Sequence, residues 1–264
     1  LRQRKNACGP VRGPSSPIAA QKKGSGAMIE TGDNNANVPL IDIIIPVYNG
    51  ERFVCEAIDS ARQQTHQNIR IIVVNDGSTD GSREKILALT GQLPNLVFVD
   101  RPHCGVSATL NTALEHAEAD WLAFLDCDDL WATSKLQTQL AALTADPSLD
   151  ICFTKLKEFD DKSAVNTKYR ARPEPLDGFN KTSMLCRRSL FDRVGGFNDA
   201  LEMGDFIEWF NRCKTHNVKH VVLPDVLAFR RIHDNNMTNG VSAADYLKVI
   251  RLHLNSKRQV SGND

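Results

Sequence analysis

Three carboxylates crowd into four residues, Asp126-Cys127-Asp128-Asp129, directly after the apolar run Leu122-Ala123-Phe124-Leu125. A run this short and apolar, opened by Trp121 and ended by charge, predicts a strand buried on both faces with the carboxylates at the sheet's rim. Packed together they repel one another, so the cluster is costly unless a cation sits among them. Hard oxygen donors select Mg²⁺ or Mn²⁺, ions that commonly arrive with phosphate groups. A solvated acidic turn would leave the same local sequence, and the flanking elements decide between the two. Cys127, flanked by carboxylates, has its thiol pKa raised and is not read as a nucleophile.

Two more strand ends carry polar groups of the same kind. Ile41–Val47 is β-branched and stops near Pro46, which cannot donate to a ladder, leaving Tyr48-Asn49-Gly50 at its end. Ile69–Val74 ends in Asn75-Asp76-Gly77-Ser78-Thr79-Asp80, where Gly77 turns the chain and Thr79 or Asp80 caps the helix expected from Gly81. Between these strands Phe53, Val54, Ala57, Ile58 and Ala61 recur at helical spacing. A third strand, Leu96–Asp100, leads through Arg101 and Gly105 to a helix over Val106–Ala117. After the acidic cluster a helix capped at Ser134 carries Leu136, Leu140 and Leu143 on one face. Four strand–helix alternations predict a parallel, doubly wound α/β sheet, in which ligands bind outside the carboxyl ends of the strands. Three polar ends converging on one rim are the strongest functional signal in the chain. No GxGxxG follows the first strand and no GxxxxGK[ST] occurs, which disfavours NAD and a P-loop nucleotide site.

Pro46-Val47-Tyr48-Asn49, Asn75-Asp76-Gly77-Ser78-Thr79-Asp80 and Leu125-Asp126-Cys127-Asp128-Asp129, in this order and spacing, resemble the family-2 glycosyltransferases. The resemblance extends from residue 40 to about 235. It implies the Rossmann-like GT-A fold: a mostly parallel central sheet flanked by helices, with a mixed acceptor-side region. It further implies a nucleoside-diphosphate sugar as donor, UDP-linked by preference, and Mn²⁺ or Mg²⁺ as cofactor. By the same resemblance Pro46, Tyr48 and Asp76 line the base and ribose pocket, with Asn49 beside them. Asp126 meets the ribose, Asp128 the metal bridging the diphosphate, and Arg101 and Asn111 make polar contacts to the nucleotide sugar.

Residues 38–150 thus read as the nucleotide-sugar half and 151–256 as the acceptor and catalytic half of one domain. Ile151–Phe159 is a fifth strand, and Asp160–Asn180 is a long polar stretch without periodicity, the kind that closes over substrate. Arg187-Arg188 could pair with a diphosphate or be surface charge. Phe206, Trp209, Phe210 and Cys213 share a helical face, which leaves Asp205 at that helix's N-terminus. The family places its catalytic base here, commonly as a Glu-Asp pair. This chain has Gly204 before Asp205, so Asp205 is the expected base, with Glu208 in reserve. Strands at Val218–Leu223 and Val226–His233 bring His233 to a position where related enzymes complete the metal site or touch the diphosphate. A final amphipathic helix is expected over 242–256, and a polar tail over 257–264.

The chain of 264 residues has 41% hydrophobic and 24% charged residues and zero formal net charge. That balance fits a soluble globular protein and offers no electrostatic case for nucleic acid. No apolar run reaches the roughly 18 residues a transmembrane helix needs. Seven dispersed cysteines without a CxxC pair argue against a disulfide framework or zinc site and fit a reducing compartment. Residues 1–37 lack periodicity and are expected to be disordered, and their basic start lacks the apolar core of a signal peptide. Leu1 opens the chain and Met28 precedes the first ordered residue, so residues 1–27 read as untranslated sequence, a tag or a fragment artefact. A cytoplasmic enzyme follows, able to work at the membrane face on a lipid-linked acceptor, or on a sugar, small-molecule or peptide acceptor.

Two other functions use the same parts. A sugar nucleotidyltransferase shares the fold and acidic site, but would carry a Gly-rich, Arg/Lys-containing loop where this chain has Tyr48-Asn49-Gly50-Glu51. A non-catalytic nucleotide-sugar-binding module would tolerate Gly204 in place of the usual Glu.

Overall fold

The computed structural model describes residues 38–162, 164, 169–201 and 203–236. The expectations for residues 1–37, the helix over 242–256 and the tail lie outside the described residues. From Pro39 onward the described chain forms one compact unit.

The chain alternates β1 (Ile41–Val47), α1 (Val54–Arg62), β2 (Ile69–Asp76), α2 (Ser82–Thr90), β3 (Leu96–Arg101), α3 (Val106–Glu115) and β4 (Trp121–Phe124). There follow β5 (Leu130–Trp131), α4 (Lys135–Ala145), β6 (Ile151–Asp160), β7 (Leu176–Asp177), β8 (Met184–Arg187), α5 (Ser189–Val194), α6 (Asp205–Thr215) and β9 (His220–Ile232). One sheet runs in the order β3-β2-β1-β4-β8-β6-β9-β5, with β7 paired to β6. The first four strands are parallel, β8 is antiparallel to both neighbours, and β6 and β9 are again parallel to each other. The predicted parallel half and mixed acceptor region are therefore parts of a single sheet.

Strand periodicity sorts β1 between two cores. Ile41, Ile43, Ile45 and Val47 face the layer of α1, α2 and α4, while Ile44 faces that of α3, α5 and α6. Each fully buried isoleucine contributes about 1.5–3 kcal/mol. The second layer is aromatic: Trp209 stacks on Phe191 at 4.8 Å, and Phe153 meets Phe206 and Phe210 edge-on. At the amino edge of the sheet, buried Asp42 takes a bidentate pair from Arg70 at 2.8 and 2.9 Å and backbone N–H groups from Glu118 and Ala119. These bonds satisfy a carboxylate that would otherwise be costly to bury.

Several local expectations need correction. The two strands expected at 218–223 and 226–233 are one strand, β9. Its register against β6 jumps from Leu223 to Val226, so Pro224, which has no N–H to give, falls in a bulge with Asp225. Ser134 precedes α4 but makes no side-chain cap, and Gly81, not Thr79 or Asp80, is the N-cap of α2. Asp80 still accepts the Ser82 N–H at 3.0 Å. Arg187 and Arg188 do not reach the acidic rim. Because β8 runs against β4, its end lies beside Trp121, where Arg187 covers the indole at 4.5 Å and Arg188 donates to the Ala119 carbonyl at 3.0 Å.

Candidate active site

β4 ends at Phe124, and Leu125 donates one last bond to the Ile44 carbonyl before the acidic loop leaves the sheet. The loop packs so closely on the turn after β1 that a Cβ at Gly50 would lie 2.8 Å from the Cys127 sulfur. Its three carboxylates have three different settings.

Asp128 accepts from His233 Nε2 at 2.9 Å and from the Asn236 amide at 3.3 Å, both on Oδ2. The Asn235 N–H donates to His233 Nδ1 at 3.2 Å. That bond puts the ring proton on Nε2, so His233 donates to Asp128 and orients it. Asp129 is buried, accepting the Arg231 N–H on Oδ1 and the Thr182 hydroxyl on Oδ2, each at 3.0 Å. Burial, reinforced by Asp128 and Asp126, pushes its pKa well above the usual carboxylate range. Asp126 is also pushed up, first by burial and then by Asp128 and Asp205, against the opposing pull of Lys181 and Arg230. The Cys127 thiol is raised too, more by burial than by the flanking carboxylates, and is no nucleophile.

Asp205 opens α6 and is only 6% exposed. Gly204 before it is the N-cap at φ 77°, a left-handed conformation that a glutamate would adopt only with strain. Lys181 Nζ lies 2.7 Å from Asp205 Oδ2. Burial works to lower the Lys181 pKa, but Asp205 and Asp126 outweigh it and the net shift is upward. Glu208 is occupied elsewhere, in a two-point ion pair with Arg212.

Two strands away, Asp76 is 2% exposed and its carboxylate is already saturated. Oδ1 accepts the Cys104 N–H and Oδ2 the Gly105 N–H, while His103 Nδ1 approaches Oδ2 at 2.8 Å and Arg101 approaches Oδ1 at 3.6 Å. Arg101 also donates to the Ala108 carbonyl and Thr112 hydroxyl. Asp76 and Arg101 therefore build the β3–α3 turn together. Tyr48, 48% exposed, stacks on His103 with ring centroids 4.1 Å apart and presents an open aromatic face at the rim. Asn49, at φ 51°, accepts the Thr79 N–H at 2.8 Å and ties the turn after β1 to the turn after β2. Pro46 stays within β1, paired in register with Val74.

Asn111 makes a different set of contacts. Both ends of its amide are taken by the Phe197 backbone at 2.8 Å, so it fastens the Gly195–Phe197 turn to α3. Sequence reasoning missed Lys181, Thr182, Arg231 and Asn236, which occupy aperiodic segments or carry no motif. Arg231 carried no readable signal, since the rings that sandwich it, Phe53 and Phe159 at 4.6 and 4.8 Å, are distant in sequence.

Among the described residues no three His, Cys, Asp or Glu side chains converge to hold a metal unaided. The donor set nevertheless suits a hard divalent ion. Among the described residues Asp128 Oδ1 makes no hydrogen bond, and Mg²⁺ or Mn²⁺ in phosphate sites commonly uses only one or two carboxylates.

Residues 42–203, more than half of the chain, match the sequence model described as Glycosyl transferase family 2. The chain belongs to this family. It is 32% identical over 222 residues to an uncharacterised glycosyltransferase of Rickettsia typhi, covering 78% of this chain and 68% of that protein. It spans only about a third of several other rickettsial relatives. The fold is that of Staphylococcus aureus TarS, solved with UDP-GlcNAc: TM-score 0.67 at 20% identity, covering 81% of this chain and 65% of that one. The mannosyltransferase PcManGT of Pyrobaculum calidifontis, solved with GDP-Man and Mn²⁺, matches with a TM-score of 0.60 at 21% identity, over 74% of this chain and 57% of the other. The mixed α/β, mostly parallel GT-A architecture expected from the three motifs is thus the one observed. No helix among the described residues is long and apolar enough to cross a membrane.

Proposed function

We propose that this family-2 chain transfers a sugar, most simply a hexose, from a nucleoside diphosphate to an acceptor hydroxyl, with inversion and with a divalent ion. One observation carries the reading: Lys181, which holds Asp205, is followed directly by Thr182, which donates to Asp129 of the same acidic loop whose Asp128 is oriented by His233. A leaving diphosphate needs charge neutralisation, and an attacking hydroxyl needs a base.

The open oxygen of Asp128 would hold Mn²⁺ or Mg²⁺, with phosphate and water completing the shell. His233 would join it only on giving up its present Nε2 proton, and until then it aims Asp128. When bound, the ion supplies positive charge to the diphosphate. Tyr48 offers its exposed ring to a nucleobase, and UDP is the donor nucleotide favoured by the TarS likeness. Pro46, Asn49 and Asp76 with Arg101 shape the walls of that pocket through the turns they fix. Asp126 would meet the ribose, and Asp205 accepts the acceptor proton. A single base on the face opposite the leaving group gives inversion. Asn111 acts on this site only through the turn it pins. A cytoplasmic enzyme acting on a small, lipid-linked or peptide acceptor is the corresponding cellular setting.

The test begins with thermal shifts across a nucleotide-sugar panel with MnCl₂, since a ligand that binds only the folded state raises its apparent stability. Asp205→Asn is expected to abolish turnover while keeping the donor-induced shift. Unchanged turnover in Asp205→Asn would overturn the assignment of the base.

A further inference from the structure

The segment that carries Lys181 is held on all sides. Gly178 packs where any Cβ would collide with the Thr154 carbonyl oxygen. The Ser183 N–H donates to Asn180 Oδ1 at 2.9 Å, and the Ser183 hydroxyl reaches the Gly178 carbonyl. From below, Trp131 Nε1 donates to the Thr182 carbonyl at 2.7 Å, and Gln139 Nε2 to the Ser183 carbonyl at 2.8 Å. From the acidic loop, Asp129 takes the Thr182 hydroxyl. Lys181 therefore projects from a rigid base, and its side chain is only 11% exposed.

Its ammonium meets Asp205 on Oδ2 alone, and Oδ1 makes no hydrogen bond among the described residues. A short charge-assisted bond to one oxygen fixes the carboxylate plane and leaves the other oxygen to receive a proton. Burying this lysine has a cost that a surface charge would avoid, so its placement on the carboxylate calls for a reason.

We propose that Lys181 is the positioning residue for Asp205, and that Thr182 next to it couples this position to the acidic loop. The inference rests on the glycosyltransfer reading. As the acceptor oxygen bonds to the anomeric carbon, its proton passes to Asp205 Oδ1. The bond from that carbon to the diphosphate oxygen breaks, and the diphosphate leaves with the electron pair. Lys181 exchanges no proton and keeps Asp205 aimed while it takes that proton.

The experiment measures nucleoside diphosphate release by the purified chain with MnCl₂, water serving as the acceptor hydroxyl, and five donors: UDP-glucose, UDP-galactose, UDP-N-acetylglucosamine, UDP-N-acetylgalactosamine and GDP-mannose. Lys181→Met, Lys181→Arg and Asp205→Asn are compared with wild type on any donor that turns over. Lys181→Met is expected to lower kcat about 10-fold or more while donor KM stays within about twofold, as for a contact that matters in the transition state. Lys181→Arg is expected to recover most of kcat. If wild type releases no diphosphate from any donor, the glycosyltransfer reading fails and this inference falls with it. If Asp205→Asn is fully active, the base assignment fails. If Asp205→Asn is inactive but Lys181→Met keeps its kcat, or loses only donor KM, the role given to Lys181 alone is wrong. A Lys181→Arg no better than Lys181→Met, both folded by thermal melting, would also overturn it.

Discussion

His233 Nε2 lies 2.9 Å from Asp128 Oδ2, joining the end of β9 to the acidic loop after β4. The Asn236 side chain closes the arrangement by accepting the His233 N–H at 2.6 Å and donating to Asp128. A carboxylate oriented in this way presents its free oxygen in one direction. His233→Ala is therefore expected to raise the Mn²⁺ concentration for half-maximal turnover by about 10- to 100-fold, the usual loss when an orienting partner is removed. A manganese titration of diphosphate release checks this, and an unchanged midpoint would count against it.

Arg231 fastens the same loop from the other side. Its guanidinium lies between Phe53 and Phe159, pairs with Glu56 at 2.6 Å and donates from Nε to the Asp128 carbonyl at 3.0 Å. Arg231→Met removes the stacking charge and leaves that carbonyl unpaired, a combined loss of about 2–4 kcal/mol. Lys cannot reproduce the planar fork, so Arg231→Lys is expected to recover little of it. Urea denaturation of the three proteins measures the difference.

The parallel half of the fold was legible because β1, β2 and β4 are mostly apolar runs, interrupted only by Asp42 and Arg70 before their polar ends, and each ends in punctuation that could not continue a strand. Pro46, Gly77 and the acidic loop mark the rim without any structure in hand. The reversed strand β8 was not legible as such, since Met184–Cys186 reads the same in either direction, and only its pairing placed Arg187 and Arg188 at the far edge. Asp128 and Asp205 were singled out through the family resemblance, because an acidic turn after a strand or a carboxylate at a helix start would leave the same residues for ordinary reasons. Lys181 was not, because it emerges from a turn fixed by long-range bonds to Trp131 and Gln139. For Asn111 a motif position suggested a ligand contact, and the bonds its amide makes are to a turn 86 residues away, which no local pattern announces.

Lys135 gives the protein an unusual pH signature. Fully buried, over the Trp131 ring at 4.0 Å and bonded to Gln139 at 2.8 Å, it has its pKa lowered by burial from 10.5 to about 7. Between those values the unfolded chain holds a proton that the folded chain lacks, so stability rises with pH across that window. The slope from this group is at most about 1.4 kcal/mol per pH unit. Below the window both states hold the proton and the full penalty remains. The stability of wild type minus that of Lys135→Met is therefore expected to grow from pH ~7 to ~9 in urea titrations. An equal difference at both pH values would contradict it.

Gly77 sits at φ 65°, and a Cβ there would lie 2.6 Å from the His103 backbone nitrogen. That nitrogen begins the turn whose next two N–H groups hold Asp76. Gly77→Ala is expected to cost about 1–3 kcal/mol from the backbone conformation, with the collision added. It should also disturb the Tyr48–His103 stack. Thermal melting and quenching of tyrosine fluorescence would register the two effects separately.

The account stands on the acidic rim using a divalent ion to hold a nucleoside diphosphate. Calorimetric titration of UDP into wild type and Asp128→Asn, each with MnCl₂ and with EDTA, tests that directly. Wild type is expected to bind UDP about 10-fold or more tightly with manganese, a difference of about 1.4 kcal/mol or more, and Asp128→Asn to lose that gain. UDP affinity indifferent to manganese in wild type, or a manganese gain kept intact in Asp128→Asn, would contradict the account.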